Sequence, residues 1–328
     1  MLLERNVVRK IISNSEKEKC KLQIDLKRNW VYLKSKYNKY VGKVLKYFSN
    51  DNQYIVVIDG GICSQMDQYI VGNYLESLGY KIQYDLSWYE CGGVDILGEQ
   101  ERNFDLLKLF PYLKLEIASK DVIARYKKYY LYYNPWDNCV RDIDKLPNPP
   151  KYLAGYGYEL VANKREKYSQ IFKINLESLV LNQENFEMLD AITKEDAVGM
   201  HVRRGDLADG SIYREAIPKE YFIKAIKKFE GRGKLFVFSD GMEWVRKELN
   251  DILPKDTQLV EINQSDKGWC DLLLMSRCKY QIASQGSMGY HAFLLNKNEN
   301  KMICVPDKIF ARRIIEFNQI REDEVYYL

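Results

Sequence analysis

Histidine is nearly absent from this chain of 328 residues: only His201 and His291 occur. A histidine-rich metal centre is thereby excluded, and a Ser-His-Asp triad has few candidates. The seven cysteines, Cys20, Cys63, Cys91, Cys139, Cys270, Cys278 and Cys304, form no CxxC pair. That spacing argues against a zinc site and for reduced thiols in a cytosolic chain. No apolar run reaches the roughly eighteen residues a transmembrane helix needs. Residues 1–10 carry charges inside their apolar run and lack a small-residue cleavage site, so they do not read as a secretory signal. A basic face spread along the chain is missing too. The net charge is +4, yet residues 1–50 hold thirteen Lys and Arg against four Asp and Glu, which leaves the remainder net acidic. A nucleic-acid partner is not expected.

What is present is a globular composition, 46% hydrophobic, long enough for two domains of about 150 residues each. One stretch organises the rest. Ala197-Val198-Gly199-Met200 reads as a short buried strand, and His201-Val202-Arg203-Arg204-Gly205-Asp206 follows at once. Adjacent guanidiniums repel, so the pair expects an anion between or beside them, and the planar fork of Arg meets phosphate in bidentate fashion. Gly205 permits a sharp turn close to a ligand. The competing reading is a strand end with solvated charges.

Along the chain, Trp30, Leu33, Tyr37, Val41, Val44 and Phe48 recur every three or four positions with lysines between them. This is a basic amphipathic helix, which either packs on the first domain or meets anionic headgroups. Residues 53–58 read as a buried strand, 59–65 as a glycine loop, 66–78 as a helix and 80–86 as the next strand, a βαβ unit. The loop either aims backbone N–H groups at a ligand or is a plain tight turn. The tyrosine-rich stretch 126–136 suits either sugar stacking or a tyrosine core. Asp142-Ile143-Asp144 spells DxD, a divalent-cation motif of metal-dependent glycosyltransferases, but no apolar strand leads into it. Leu146-Pro147-Asn148-Pro149-Pro150 reads as a stiff linker. The expected division is a basic segment 1–50, a domain 51–150 and a domain 151–328.

The second domain alternates strands and helices, which predicts an α/β fold with a parallel sheet covered on both faces. Three strand ends carry polar residues: His201, Arg203, Arg204 and Asp206; Ser239 and Asp240; Ser284, Gln285 and Ser287. Ligands of open parallel sheets bind at such ends. Arginines for an anion, a hydroxyl-bearing helix start and an acidic selector suit a nucleoside diphosphate, although each group alone also suits a helix cap.

HVRRGD at 201–206 resembles the HxRRxD motif of glycosyltransferase family 11, the α-1,2-fucosyltransferases that use GDP-fucose. GGICSQMDQ at 60–68 resembles that family's GGLGNQMFQ stretch. YLAGYGY at 152–158 resembles its GYWQ-type segment, FSD at 238–240 its FSDD motif, and DLLLMSRCKYQI at 271–282 its D-x-x-LMSxCKHxI segment. Ser64 stands for the usual Asn, and Gly241 for the second Asp of FSDD. ASQGSMGY at 283–290 replaces ANSTFSWW, its Ser-Gln pair being closer to α-1,6-fucosyltransferases.

The resemblance implies a GT-B fold, two Rossmann-like domains facing a cleft with the donor in the C-terminal one. It implies metal-independent, cofactor-free, inverting transfer of L-fucose from GDP-β-L-fucose to a glycan hydroxyl, the 2-OH in this family. Arg203 would clamp the diphosphate. Arg204 would join the clamp or pair with Asp206, and Asp206 is either the base or that structural partner. His201, Ser239, Asp240, Ser284, Gln285, Ser287, Gly60 and Gly61 would line the donor side, and Ser64 and Gln65 the acceptor side. His291 is expected to be a packed histidine at a helix surface. The setting implied is cytoplasmic and bacterial, in O-antigen or capsule assembly on a lipid-linked acceptor, with residues 30–48 as the membrane contact. Two other readings are an α-1,6- or protein O-fucosyltransferase-like enzyme and a non-catalytic nucleotide-sugar-binding protein.

Overall fold

The computed structural model describes residues 33, 37, 52–94, 101–129, 131–132, 152–153, 164–194, 196–204, 216–263, 267–306 and 319–328. Most of the basic helix, the DxD stretch and the pair Gly205-Asp206 lie outside them. Leu33 and Tyr37 are helical and exposed. No helix among the described residues is long and apolar enough to cross a membrane.

Two fully parallel sheets form the frame. In the first, β1 (Gln53–Val57), β2 (Lys81–Asp85), β3 (Leu131–Tyr132) and β4 (Tyr152–Leu153) lie in the order β2-β1-β4-β3. β1 is buried from Tyr54 onward, as its unbroken apolar run requires of a strand covered on both faces. Tyr152 and Leu153 pair with Ile55 and Val56, so the expected boundary at residue 150 falls too early: β4 belongs to the first sheet. Its two residues are too short to show alternation.

Helix α1 (Ile62–Ser77) starts immediately after Gly61, four residues before the position expected from the sequence. The residues taken for loop are its first turn. Gly60 makes the bend with φ 71°, a conformation open to glycine at little cost. The Gln68 side chain then bonds both the N–H and the carboxylate of Asp59, at 2.9 and 2.7 Å.

The second sheet holds β5 (Ala197–Val202), β6 (Lys234–Ser239), β7 (Gln258–Val260), β8 (Tyr280–Ile282), β9 (Met302–Val305) and β10 (Val325–Tyr327), ordered β10-β9-β8-β5-β6-β7. The chain builds outward from β5 through β6 and β7, then jumps back to lay β8 on β5's other side. The loops after β5 and β8 therefore diverge and open a crevice at their C-terminal ends. These two parallel α/β units facing a cleft form the GT-B arrangement.

Two other helices pack behind the cleft, α2 (Lys164–Ile171) and α3 (Gln183–Thr193), against α5 (Met288–Leu295) and α4 (Gly268–Arg277), which contribute lining residues. A single apolar cluster runs from β1 and α1 through Leu189 and Phe236 to Leu272–Met275, so the two units share one core.

Gln65 was expected on the acceptor side. It is completely buried instead. Its Oε1 accepts from the N–H groups of Asp105 and Leu106, both at 2.9 Å, while its Nε2 donates to the carbonyls of Gly60 and Asn103. It ties the glycine loop to the 103–106 segment and does not itself line the cleft. Gln65→Leu would strand two buried N–H groups, at about 1–3 kcal/mol each. Urea denaturation should read a loss of about 2–6 kcal/mol, and an unchanged midpoint would contradict this role.

Candidate functional site

A cleft of about 410 Å³ opens where the two units meet. Gly61, Cys63 and Ser64 line it from the first unit, and His201, Arg203, Ser239, Asp240 and Ser287 from the second. Seven of the expected site residues are thus brought together: Gly61, Ser64, His201, Arg203, Ser239, Asp240 and Ser287. Gly60 stands behind the wall, its carbonyl accepting from Tyr89 at 2.9 Å.

The two arginines part company. β5 runs through His201 and Val202, and successive side chains leave a strand on opposite sides. Arg203 faces the cleft. Its N–H donates to Ser284 Oγ at 3.0 Å, and its Nη1 bonds Asp240 Oδ2. Arg204 turns into the wall, only 8% exposed, stacked on the Trp244 ring with its carbon 3.2 Å from the centroid. Its Nη2 donates to the Ile217 carbonyl at 2.7 Å, and its backbone N–H to Asp240 Oδ1 at 2.6 Å. Burial lowers the Arg204 guanidinium to about 10, still charged at neutral pH. Arg204 is therefore part of the wall and not of the donor surface. Part of the anion expected between the arginines is supplied by the protein as Asp240, whose two oxygens are both engaged.

Gly241 follows Asp240. A Cβ there would lie 2.6 Å from Arg204 Cβ, so the Arg204 stem occupies the space of any larger side chain. The loss of the second Asp of FSDD is thereby accounted for.

Ser284 and Gln285 are buried supports. Besides Arg203, Ser284 Oγ contacts His201 Nδ1 at 3.4 Å. Gln285 Oε1 accepts from the Ile217 N–H at 3.3 Å. His201 is 6% exposed, and burial together with Arg203 lowers its pKa to about 4 against the pull of Asp240. It meets a ligand as a neutral ring.

Two helices begin at the cleft, α1 at Gly61 and α5 at Ser287, and neither has a side-chain cap. Their first N–H groups and positive dipole ends face the same space as Arg203. This is a ready anion site.

Sequence reasoning missed several lining residues, among them the charged or amide-bearing Arg102, Asn103, Asp105 and Asp271. Arg102, Asn103 and Asp105 come from the segment held by Gln65, which has no periodicity to betray it. Asp271 stands in the first turn of α4, at the cleft's far end beyond β7. Burial raises its carboxyl to about 7, against a 2.7 Å hydrogen bond from Asn263. Asn263 is anchored in turn by a reciprocal amide pair with Asn185. An acid opening a helix that is otherwise apolar was the available signal. No cluster of three or more potential metal ligands occurs among the described residues.

Residues 113–324, carrying the second unit and all its strand-end residues, match the family model of glycosyl transferase family 11. The chain belongs to glycosyltransferase family 11. The glycine loop precedes the matched stretch. Among family 11 relatives, the O-antigen biosynthesis glycosyltransferase WbnK of Escherichia coli is 27% identical over 160 residues, 46% of this chain and 52% of that protein. An alpha-1,2-colitosyltransferase of Escherichia coli is 25% identical over 77% of this chain and 91% of its own length. A galactoside alpha-(1,2)-fucosyltransferase 1 of Leontocebus fuscicollis is 28% identical over 35% and 34%. The chain thus spans about half the length of the first relative and a third of the last.

The two arginines should separate in denaturation experiments. Arg204→Ala removes a buried stack and a hydrogen bond and should cost about 1–3 kcal/mol. Arg203→Ala removes a partly exposed ion pair and should cost about 1 kcal/mol or less. Equal losses would contradict the division.

Proposed function

We propose that this family 11 protein is an inverting fucosyltransferase that moves L-fucose from GDP-β-L-fucose to a glycan hydroxyl, the 2-OH of a galactoside, without a metal. The observation that carries the reading is the convergence of Arg203 with two uncapped helix N-termini at the crevice between β5 and β8. A nucleoside diphosphate laid with its phosphates there runs outward over β6 and β7, which brings its base toward Asn263 and Asp271. A carboxylate suits guanine, whose pairing edge offers two N–H donors. Names of relatives support the sugar and linkage: one is an alpha-1,2-colitosyltransferase, another a galactoside alpha-(1,2)-fucosyltransferase.

In the transfer, negative charge grows on the leaving diphosphate while the fucose carbon gains oxocarbenium character. Arg203, aimed by Asp240 and by the Ser284 bond to its backbone, would stabilise that charge, as would the N–H groups of α1 and α5. Such preorganised donors are worth about 10²–10³ in rate each. Neutral His201 would donate or accept a hydrogen bond without adding charge. Asp206 remains the proposed base on the acceptor hydroxyl, and Ser64 the proposed acceptor contact. The acceptor would be a lipid-linked glycan presented at the cytoplasmic membrane face, with residues 30–48 as the membrane contact.

Purified protein offered GDP-fucose, GDP-mannose and UDP-galactose with a β-galactoside should transfer fucose alone, to the 2-OH, in the presence of chelator. Transfer from a UDP-sugar, or activity lost with chelator and restored by Mn²⁺, would overturn the reading. Arg203→Ala should lower kcat about 10²–10³-fold.

Asp271 predicts a pH dependence with a definite sign. Its carboxylate form, the one that accepts from guanine, is depleted as pH falls through about 7. His201, at about 4, is silent in that window. GDP should therefore bind about tenfold more weakly at pH 6 than at pH 8. Asp271→Asn should be weaker throughout and keep only the shallower fall at low pH that protonation of the terminal phosphate, at about pH 6, brings. A pH-independent wild type measured by calorimetry would remove Asp271 from the base site.

A further inference from the structure

A buried charge network joins the two units behind the cleft. Lys164 Nζ lies 2.5 Å from Asp67 Oδ1, and His291 Nε2 lies 3.1 Å from Asp67 Oδ2. The Tyr168 hydroxyl bonds His291 Nδ1. Asp67 belongs to α1 of the first unit, His291 to α5 of the second, and Lys164 and Tyr168 to α2, which packs against both helices. None of the four is more than 3% exposed. Contrary to the expectation of a surface position, His291 is at the centre of this junction. Burial by itself raises the Asp67 carboxyl, but the Lys164 ammonium and the His291 ring outweigh it and hold the group below its ordinary range.

Stability does not explain such an array. Taking charges out of water costs as much as their attraction returns, and apolar residues of similar volume generally serve a core as well or better. The motif GGLGNQMFQ, which residues 60–68 resemble, carries Phe where this chain has Asp67. Where that motif has an apolar aromatic residue, this chain has a charge with two partners.

Its location suggests what the exchange achieves. Asp67 is one helical turn behind Cys63 in the cleft wall, and His291 is one turn behind Ser287. The His291 backbone N–H donates to the Ser287 carbonyl at 3.0 Å, and Cys63 and Ser287 both line the cleft. The two helix starts that carry Cys63 and Ser287 thus face the same cleft. They are tied one turn, about 5.4 Å, deeper by Asp67 and His291. Hydrogen-bonded charge pairs fix distance and direction more narrowly than apolar contact does.

We propose that Asp67, Lys164 and His291 are positioning residues, an ion-pair strut that sets the separation of the α1 and α5 N-termini and so holds the glycine loop in register with the donor diphosphate. None of them touches substrate. The inference rests on reading the cleft as a GDP-sugar site. Donor binding keeps Arg203, the α5 N-terminus and the Asn263–Asp271 end when the strut is removed, so it depends on the strut less than transfer does. Transfer requires both units in register, and a misplacement of about 1 Å can cost about 10²-fold.

Three variants test it, each checked for folding by its melting temperature. His291→Ala removes the link, and His291→Gln keeps an amide N–H able to reach Asp67. Asp67→Leu combined with Lys164→Met removes both charges together, so that no buried charge is left alone. The readouts are GDP affinity by calorimetry, GDP-induced hydrogen-exchange protection of residues 61–66, and the rate of GDP release from GDP-fucose with a β-galactoside. All three variants should bind GDP within about threefold of wild type. His291→Ala and the double variant should lose the protection of residues 61–66 and fall about 10–100-fold in kcat, whereas His291→Gln should recover most of both. A double variant that binds GDP with wild-type protection and wild-type kcat would overturn the strut. A wild type that binds no GDP would overturn the reading of the cleft, and the strut's role with it.

Discussion

Asp240 accepts hydrogen bonds from the Arg203 side chain and from the Arg204 backbone, and the cleft depends on that shared carboxylate. Without it two adjacent guanidiniums would leave β5 with nothing to separate their tasks. With it, one arginine is held facing the cleft and the other packs against Trp244 to form the wall. Gly241 is the steric counterpart, since only a residue without Cβ leaves room for the Arg204 stem. Ser284 completes the arrangement from the far side of the crevice by holding the Arg203 backbone.

Around this centre the electrostatics are asymmetric. Positive potential is concentrated at the phosphate end, from Arg203 and two helix N-termini, while His201 stays neutral through burial. At the other end Asp271 and Asn263 offer a carboxylate and an amide. The proposed GDP matches this polarity, with an anionic diphosphate at one end and a base edge of N–H donors at the other. In the proposed transfer the helix N–H groups would stand in for water as fixed dipoles, so little reorganisation would be needed as charge develops on the leaving group.

Much of this was legible in the sequence. The strands of the second unit are continuous apolar runs, and their polar endings fall at the C-terminal edge of the sheet, so the parallel α/β frame and the principal crevice residues follow from pattern alone. Gly60-Gly61 and Ser64-Gln65 look like a turn and hide the α1 start, whereas the Gln65 side chain is satisfied inside the fold. The side to which Arg204 points was available from the two-residue period of a strand but hidden by the charge argument. Pairings across long separations were not available. Neither the Gln65 bonds to residues 103–106 nor the Asp67–His291 contact has any local signature, because each depends on how the two units meet.

Calorimetric titration of the wild-type protein at pH 8 with GDP and, in parallel, with UDP tests the account most directly. The Asp271–Asn263 end predicts saturable one-to-one binding of GDP that is at least about tenfold tighter than that of UDP, since each lost polar contact to a buried group costs about 1–3 kcal/mol. Equal affinity for the two nucleotides, or no binding of either, would contradict it.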